Sequence, residues 1–397
     1  MYKFIYPTKD SYIYELNTNK EKNFGGDESL ILKKDIEGGL NVNAVSRIIL
    51  QFDLNELSNS IVDGDITNPS YYLRLYQKRT SELAPTYQIN AYALSQSWEE
   101  GTGYTDENPN SRDGVSWLRG NESFDDTNWF VGGADSIEIG LDSASKAIDS
   151  LHLHLDTGSR SEGGGIWYDE GGVNIPGGSI AGISSQSFSY ESADIEMEVG
   201  DVVNKWLDGT RNNKGFILKW SGSQEDSENY SGDIEYFSME ANSVFSPSLE
   251  VRWDDHLPCT GSNTGSLTQL TVDGTVDNYL YMINLRDTYR ENETPKFRVG
   301  ARKRYQTKTA SFTKSTTSIE FVPEGSGSYS IIDVITGKTM VPFGSNTLLS
   351  CDSKSNYFKQ DLKSFIANRR YRIILRLQTN DNRKLIFDQN FDFKVVK

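Results

Sequence analysis

The stretch Arg47-Ile-Ile-Leu-Gln-Phe-Asp-Leu54 alternates apolar and polar side chains. Its even-numbered residues, Ile48 to Leu54, are all apolar, and alternation with period two is typical of a strand with one buried face. Ile49 falls on the opposite face, among polar residues. We therefore predict a strand that buries its even-numbered side chains. A charge at Ile49 is expected to be tolerated better than a charge at Leu50.

The same alternation recurs along the chain, and aromatic residues, which favour strands, make up 12% of it. Further strands are predicted at 71–76, 87–94, 151–155, 195–199, 216–220, 249–253, 279–285, 296–305, 329–335, 370–378 and 385–395. A single short helix is predicted at 201–207, with Asp201 as its N-cap. The chain is therefore expected to be all-β.

Charge divides the chain into two parts. The 397 residues have a formal net charge of −16, but residues 260–397 carry +8 and residues 1–259 carry −24. The change coincides with Leu257-Pro-Cys-Thr-Gly-Ser-Asn-Thr-Gly-Ser266, whose composition is typical of linkers. We predict an acidic β-sandwich at 1–257, a linker at 258–266 and a smaller, basic, Ig-like β-sandwich at 267–397, built as one domain or two small units.

Composition argues against several classes of protein. No run of 18 apolar residues occurs, and the N-terminal residues contain no apolar stretch of signal-peptide length, so neither a membrane segment nor export by a signal peptide is expected. Cys259 and Cys351 are too few for a disulfide framework and lack metal-site spacing. They are therefore interpreted as two structural thiols.

Several sequence segments follow one another in a recognisable order over residues 1–255. They are Arg47-Ile-Ile-Leu-Gln-Phe-Asp-Leu54, Leu73-Arg-Leu-Tyr76, Tyr92-Ala-Leu-Ser-Gln-Ser-Trp-Glu-Glu-Gly101, Val115-Ser-Trp117, the helix at 201–207, Gly215-Phe-Ile-Leu218 and Ser246-Pro-Ser-Leu-Glu-Val251. This part of the chain resembles the DNRLRE-type modules, β-jelly-roll domains of bacterial surface proteins that are classed with carbohydrate-binding modules. The resemblance implies a jelly-roll fold. Two departures from the family pattern are the longer, more acidic loops and Leu118 after Trp117.

The last third of the chain carries a second resemblance. Its segments are Tyr279-Leu-Tyr-Met-Ile-Asn-Leu-Arg286, Pro295-Lys-Phe-Arg-Val-Gly-Ala-Arg-Lys-Arg-Tyr305 and Asn368-Arg-Arg-Tyr-Arg-Ile-Ile-Leu-Arg-Leu377. They are similar to tail regions of uncharacterised virion structural proteins of tailed phages from marine and cyanobacterial hosts. This resemblance implies a virion component without enzymatic activity that is made in the host cytoplasm.

Two long stretches rich in glycine, serine and acidic residues, 99–133 and 157–189, contain aromatic residues. Flat aromatic faces stack on sugar rings, and neighbouring Asn and Asp side chains bind the hydroxyl groups. These aromatic residues are therefore candidates for carbohydrate binding, with satellite packing under the loops as the alternative: Tyr104, Trp117, Trp129, Trp167 and Tyr168.

Metal binding is a weaker hypothesis. His152, His154 and Asp156 alternate along one predicted strand, which directs them to the same face, but an exposed polar strand face is the favoured explanation. Acidic loop residues are candidates for structural calcium. These are 106–108, 125–126 and 254–255, and solvated loop charge is the alternative.

No set of residues in the sequence predicts catalysis. The G-x-S-x-G motif and the glycine-rich phosphate loop are both absent. Glu99 and Glu100 are adjacent, so in an extended chain they point to opposite faces and cannot form the opposed carboxylate pair of a glycosidase. We therefore predict a protein that is not an enzyme and that has no cofactor other than structural calcium.

Arginines are concentrated in the basic last third, interleaved with tyrosines. Protein docking, solvated strand faces and nucleic-acid binding are three explanations, and the acidity of the whole chain makes nucleic acid the least favoured. The docking hypothesis names Arg298, Arg302, Arg304, Arg369, Arg370 and Arg372.

Two functions from different classes follow. The first is a structural protein of a phage virion, in the neck, tail, fibre or decoration, which docks on other virion proteins or on its own copies through the basic domain and presents the acidic jelly roll outward. The second is a carbohydrate-binding module of a bacterial surface or secreted protein. The first places the chain in the virion, and the second places it outside the cell or at its surface.

Overall fold

The computed structural model describes residues 1–16, 18–37, 42–121, 129, 147–148, 153–155, 163–168, 183–190, 192–227, 229–274, 277–305 and 319–397. The described residues are mostly β-strands, with three short α-helices, so the predicted all-β class is confirmed. They form two compact units. We call residues 5–62 and 70–250 the N-terminal unit, and residues 1–4, 63–69 and 251–397 the C-terminal unit.

Strands account for most of the regular structure in the N-terminal unit. In chain order they are β2 (Pro7–Tyr14), β3 (Ser29–Glu37), β4 (Val42–Phe52), β5 (Ser70–Leu75), β6 (Gln77–Ser81), β7 (Thr86–Ala93), β8 (Ala147–Ile148), β9 (Leu153–Leu155), β10 (Ile166–Tyr168), β11 (Ile183–Ser189), β12 (Ile195–Glu198), β13 (Phe216–Trp220) and β14 (Gly232–Phe237). Two further strands contain residues of both units, β1 (Tyr2–Ile5) and β15 (Ser248–Arg252).

The main sheet of the N-terminal unit is built around β4. Its strand order is β11-β7-β13-β4-β3-β14-β6, and β2 also pairs with β4. All of these pairs whose register is resolved are antiparallel. In a second sheet β15, β5 and β12 lie side by side, and β10, β9 and β8 form a small third sheet.

Both faces of β4 are buried, so the prediction that Ile49 lies on a polar face is wrong. Leu50 is 0% exposed, as expected, but Ile49 is also 0% exposed. Ile49 packs in a second core that includes Trp98, Trp117 and Trp167. Parts of the two stretches interpreted as loops supply this core, and they cover the face of β4 that would otherwise meet water. A run of consecutive apolar residues is typical of such a doubly covered strand.

In the described ranges three short helices interrupt the strands: α1 (Asn55–Val62), α2 (Gly200–Leu207) and α3 (Gly222–Glu225). The predicted helix is α2, but Val199 occupies its N-cap position without a side-chain hydrogen bond. Asp201 lies in the first turn instead, where its negative charge interacts favourably with the positive end of the helix dipole. α1 escaped prediction because only one of its side chains is buried, so its apolar periodicity is weak. None of the helices in the described ranges is long and apolar enough to span a membrane.

The C-terminal unit contains two sheets. Its strands are β16 (Thr268–Gln269), β17 (Asn278–Met282), β18 (Thr288–Arg290), β19 (Lys296–Lys303), β20 (Glu320–Phe321), β21 (Gly327–Asp333), β22 (Thr339–Val341), β23 (Ser350–Asp352), β24 (Ser355–Lys359), β25 (Arg370–Gln378) and β26 (Lys384–Val396). One sheet has the order β16-β20-β19-β24-β23 with β17 on β19, and the other has the order β18-β26-β25-β21-β22.

Aromatic side chains join these two sheets into one core. Phe358 of β24 stacks on Tyr329 of β21 with ring centres 3.8 Å apart. Phe297 of β19 lies 5.3 Å from Phe393 of β26. The two sheets therefore form one compact sandwich, and not two small units.

The unit boundaries differ from the predicted domain boundaries at two places. Residues 1–4 belong to the C-terminal unit, where the amino group of Met1 donates to the Trp253 carbonyl oxygen at 2.6 Å and pairs with Asp255. The segment predicted as a linker lies within the C-terminal unit, and most of it is exposed, although Cys259 and Thr264 are buried. It contains the 3-10 helix Gly261–Thr264, and Cys259 is buried beside Cys351. Neither cysteine forms a disulfide bond.

Ile49→Asp is expected to lower the free energy of unfolding by at least about 3 kcal/mol, as much as Leu50→Asp, because either change puts a carboxylate into an apolar core. Urea denaturation of the full chain, followed by tryptophan fluorescence, measures the difference. Val62 is 83% exposed, so Val62→Asp is the control and should change stability by less than about 0.5 kcal/mol. If Ile49→Asp behaves like Val62→Asp, the second core does not cover β4.

Candidate functional site

Arg47 lies in the middle of the second core, between two indole rings. Its side chain is fully buried, and its guanidinium carbon is 4.9 Å from the ring centre of Trp117 and 5.1 Å from that of Trp167. Its Nη1 donates to the backbone oxygen of Gly164 at 2.5 Å. Gly164 has a φ of +86°, and a Cβ there would meet Arg47 and Trp117, so only glycine allows this close approach.

Glu225 balances the charge of Arg47. The Nε and Nη2 atoms of Arg47 each lie 2.8 Å from Oε1 of Glu225. Lys219 pairs with the second carboxylate oxygen, and Nζ of Lys34 donates to the Glu225 backbone oxygen at 2.6 Å. This buried network joins β3, β4, β13 and α3. A buried ion pair of this kind is stable only while all of its members are present.

The structure corrects the prediction that three tryptophans present flat faces to a sugar. Trp117, Trp129 and Trp167 are at most 1% exposed and belong to the second core. Nε1 of Trp129 donates to the backbone oxygen of Ser116 at 2.9 Å. Their rings fill the space over β4, so the alternative of packing under the loops describes these three residues.

The two predicted tyrosines lie in different environments. Tyr168 is half-buried, and the guanidinium of Arg211 lies 4.0 Å from its ring centre, which covers one face of the ring. Tyr104 is 52% exposed and packs against Gly26. Tyr104 is therefore the predicted aromatic residue that offers an exposed ring.

Asn23 holds the loop at 99–121 in place. Its side-chain amide donates to the backbone oxygens of Glu100 at 2.6 Å and Val115 at 2.9 Å. Its Oδ1 accepts from the backbone nitrogens of Gly25 at 3.2 Å and Gly103 at 2.8 Å. Asn23 is 0% exposed, so one side chain replaces the backbone pairing that a strand would have given this loop.

An open groove of 540 Å³ lies in the N-terminal unit beside the end of β4 and the start of α1. Buried or half-buried apolar side chains line part of it, and hydroxyl, amide and charged groups line the rest. Its lining residues are Thr8, Lys9, Gln51, Phe52, Asp53, Leu54, Asn55, Ser58, Trp206, Leu207 and Asn213.

A second, smaller pocket of 330 Å³ adjoins the loop at 99–121. Half of its lining residues are charged, and Arg112 forms an ion pair with Glu21 across 2.5 Å. Pro109 and Leu118 are its apolar lining residues. The mixture of charges without an apolar floor makes it a poorer fit to a sugar ring than the larger groove.

Three carboxylates meet near the root of the same loop. Asp10, Glu100 and Glu240 each bring an oxygen within 4.8 Å of the others. Burial, followed by the nearby charge of Glu240, raises the pKa of Asp10 well above its usual value. Burial also raises the pKa of Glu100 to about 7. These three residues form an acidic cluster that the sequence did not predict.

The described residues do not test the metal site predicted at His152, His154 and Asp156. His152 and Asp156 lie outside the described residues, and His154 is described only as part of strand β9. Of the calcium candidates, 125–126 also lie outside. The carboxylate of Glu107 accepts from the backbone nitrogen of Ser111 at 2.9 Å, and Asp254 accepts from the backbone nitrogen of His256 at 2.9 Å.

Four of the six arginines predicted for docking are paired inside the C-terminal unit. Arg298 binds both oxygens of Asp352 at 2.9 Å, and Arg369 binds both oxygens of Asp333 at 2.7 and 2.9 Å. Burial alone would raise the pKa of Asp333, but hydrogen bonds from Arg369 and Thr336 lower it to about 2.

The other two internal pairs join Arg372 to Asp392, at 2.7 Å, and Arg370 to Asp287, at 3.2 Å. These guanidinium groups already have carboxylate partners in the same unit, and docking through them stays a prediction. Arg302 and Arg304 lie over Tyr279, 5.1 and 6.0 Å from its ring centre. Docking through these two arginines stays a prediction.

Sequence reasoning missed Glu225, Asn23 and the three clustered carboxylates. An arginine inside an apolar strand is a signal that a buried acid must exist elsewhere in the chain, although it does not say where. For Asn23 the signal was Asn-Phe-Gly-Gly at 23–26, a turn-forming residue followed by two glycines. The carboxylates gave no local signal, because Asp10, Glu100 and Glu240 are far apart in the sequence.

Comparison with protein families matches residues 1–121 to carbohydrate-binding module family 96, CBM96. The chain therefore contains a carbohydrate-binding-module-like region, which includes Asp10, Asn23, Arg47 and Glu100. Comparison with curated proteins finds no match. Among solved structures, the adhesin domain of Epf from Streptococcus pyogenes is similar at 8% identity over 100% of this chain and 91% of that chain, with a TM-score of 0.18. A likeness at that score informs neither the fold nor the function.

Asn23→Ala is expected to lower the free energy of unfolding by about 3 kcal/mol, because it leaves buried backbone donors and acceptors unsatisfied. Amide exchange measured by mass spectrometry should quicken within 100–115 more than elsewhere in the unit. Asn212→Ala, at an exposed position, is the control and should leave exchange unchanged. Unchanged exchange in Asn23→Ala would mean that other contacts hold the loop.

Proposed function

We propose that the N-terminal unit is a carbohydrate-binding module that holds a glycan in the 540 Å³ groove. The observation that carries this proposal is the match of residues 1–121 to a carbohydrate-binding module family. The matched range supplies most of the groove lining, from Thr8 to Ser58. The groove volume lies within the usual range for small-molecule sites, roughly 300–1,000 Å³.

The groove combines the two kinds of contact that a sugar requires. Leu207 and the small exposed parts of Leu54 and Trp206, which are 7% and 8% exposed, supply apolar surface for the C–H face of a sugar ring. Asp53, Asn55 and other polar side chains at the rim offer acceptors and donors for hydroxyl groups. Recognition by an apolar surface with a few placed polar groups is typical of small-ligand sites.

Hydrogen bonds to the backbone hold part of the rim in position before any ligand arrives. Nε2 of Gln51 donates to the Asn213 backbone oxygen at 3.1 Å, and Nδ2 of Asn213 donates to the Phe52 backbone oxygen at 2.7 Å. Thr8 Oγ1 donates to the Gln51 backbone oxygen at 3.2 Å. Side chains that are already ordered lose less conformational entropy when they bind, so the rim is suited to ligand binding.

Charge favours a glycan without negative groups. Residues 1–259 carry a net charge of −24, which repels an anionic polysaccharide at low ionic strength. Lys9 is the cation of the groove, and its Nζ is held by the Trp98 backbone oxygen and by Glu99, each at 2.8 Å. We therefore infer a neutral polysaccharide as the ligand class.

The proposal is for binding and not for turnover, and it places the chain at a cell surface or outside the cell. The virion function predicted from the second resemblance has no support among the comparisons. Arg298, Arg369, Arg370 and Arg372 are also paired with carboxylates of their own unit, so their charges are balanced without a docked protein. Carbohydrate binding is therefore the better supported of the two functions.

The test is affinity electrophoresis of the full chain in gels that contain neutral or anionic polysaccharides, followed by calorimetry on the polysaccharides that retard it. Asn55→Ala should weaken binding about tenfold, because it removes an exposed amide from the groove rim. Asn59→Ala is the matched control, since Asn59 is exposed on the same helix but does not line the groove.

Each result has a distinct meaning. If no polysaccharide retards the chain, the proposed function is wrong. If a polysaccharide binds but Asn55→Ala binds as tightly as Asn59→Ala, the groove is the wrong place. In that case Tyr104→Ala tests the exposed ring of Tyr104 as the alternative place of contact.

A further inference from the structure

Three acidic side chains from separate parts of the N-terminal unit meet at one point. Asp10 lies in β2, Glu100 in the loop after β7 and Glu240 in the segment after β14. One oxygen of each lies within 4.8 Å of the others. Negative charges at this separation repel one another strongly in a partly buried environment, so the arrangement needs either a bound proton or a bound cation to relieve the repulsion.

Backbone groups fix the orientation of two of these carboxylates. Oδ2 of Asp10 accepts from the backbone nitrogen of Met239 at 2.8 Å. Oε1 of Glu100 accepts from the backbone nitrogen of Asp10 at 2.7 Å. These bonds hold the acidic groups together although they do not neutralise them.

Other oxygens of the cluster are buried without a donor. Asp10 is 1% exposed, and its Oδ1 has no hydrogen-bond partner within the described part of the chain. Oε2 of Glu240 is also buried and has no hydrogen-bond partner within the described part of the chain. The nearest lysine in the sequence, Lys9, uses its Nζ to bind the Trp98 backbone oxygen and Glu99. Buried polar atoms are satisfied in the great majority of proteins, so these oxygens need either a bound ion or a proton shared by Asp10 and Glu240.

The spacing fits a hard divalent cation. Calcium takes oxygen ligands at about 2.3–2.6 Å, so two oxygens on the same calcium ion lie at most about 5 Å apart. The observed limit of 4.8 Å satisfies this condition. The cluster contains no nitrogen or sulfur ligand, which disfavours zinc and copper.

We propose that Asp10, Glu100 and Glu240 form a binding site for one divalent hard cation, with calcium as the best fit, and that water completes the coordination. The ion joins β2 to the loop at 99–121 and to the segment after β14. It therefore fixes the root of the same loop that Asn23 holds through the Glu100 backbone oxygen. This site differs from the three calcium candidates that the sequence indicated, and it does not depend on the glycan proposal.

The test is isothermal titration of calcium chloride into the full chain at pH 7.5, after metal has been removed with a chelator and the chelator has been removed by dialysis. We expect saturable uptake of one ion. At a hundredfold excess over Kd, the midpoint of thermal unfolding should rise by at least about 5 °C. No glycan is present, so failure of the glycan proposal does not affect this result.

Asp10→Asn and Glu240→Gln should each abolish the uptake of calcium and the thermal shift. Either change also removes a repelling charge, so the metal-free variants are expected to be folded and to melt at or above the metal-free wild type. Glu99→Gln is the matched control, since Glu99 is adjacent in sequence, lies outside the cluster and has a half-exposed side chain, and it should retain both responses.

Two outcomes would overturn the proposal. In the first, the metal-free wild type takes up no calcium and its melting midpoint does not move, which would mean that the carboxylates share a proton instead. In the second, Asp10→Asn and Glu240→Gln bind calcium as tightly as Glu99→Gln, which would place the ion elsewhere in the chain.

Discussion

The buried ion pair between Arg47 and Glu225 is the interaction on which the N-terminal unit depends. Both side chains are at most 1% exposed, so each has lost its hydration and is stable only because the other is present. The two indole rings of Trp117 and Trp167 flank the guanidinium and exclude water from it. One interaction therefore holds a central strand, a short helix and two irregular segments of the chain together.

This constraint also decides where a ligand can bind. The tryptophans of the irregular segments cover the outer face of β4 and shield the Arg47–Glu225 pair, so they are not available at the surface. Within the described part of the chain, the places proposed for glycan contact are therefore the groove beside α1, whose rim is polar and held by backbone hydrogen bonds, and the exposed ring of Tyr104. The acidic cluster at Asp10 lies at the root of the loop that carries Tyr104, so an ion bound there would stabilise the same loop.

Much of the fold could be predicted from the sequence, because strands are encoded locally. β13 (Phe216–Trp220) and β25 (Arg370–Gln378) have the predicted bounds. The sites are encoded by contacts between distant residues. Glu225 is far from Arg47 in sequence, and the carboxylates that neutralise Arg298 and Arg369 lie on other strands. The alternation of apolar and polar residues therefore predicted which arginines point away from the core, but it did not predict which carboxylates they pair with. The glycine-rich stretches that contain the aromatic residues were interpreted as surface loops, because nothing in their local sequence indicated that they cover a strand.

A double-mutant cycle on Arg47→Met and Glu225→Gln, measured by urea denaturation of the full chain, tests the dependence on this pair most directly. Each single change should cost about 3–5 kcal/mol, because it leaves the partner buried and uncompensated. The double variant should cost clearly less than the sum of the two, by about 2 kcal/mol or more. Single changes that cost less than about 1 kcal/mol each and simply add would contradict the account, because the segments around Trp117 and Trp167 would then be held by apolar packing alone.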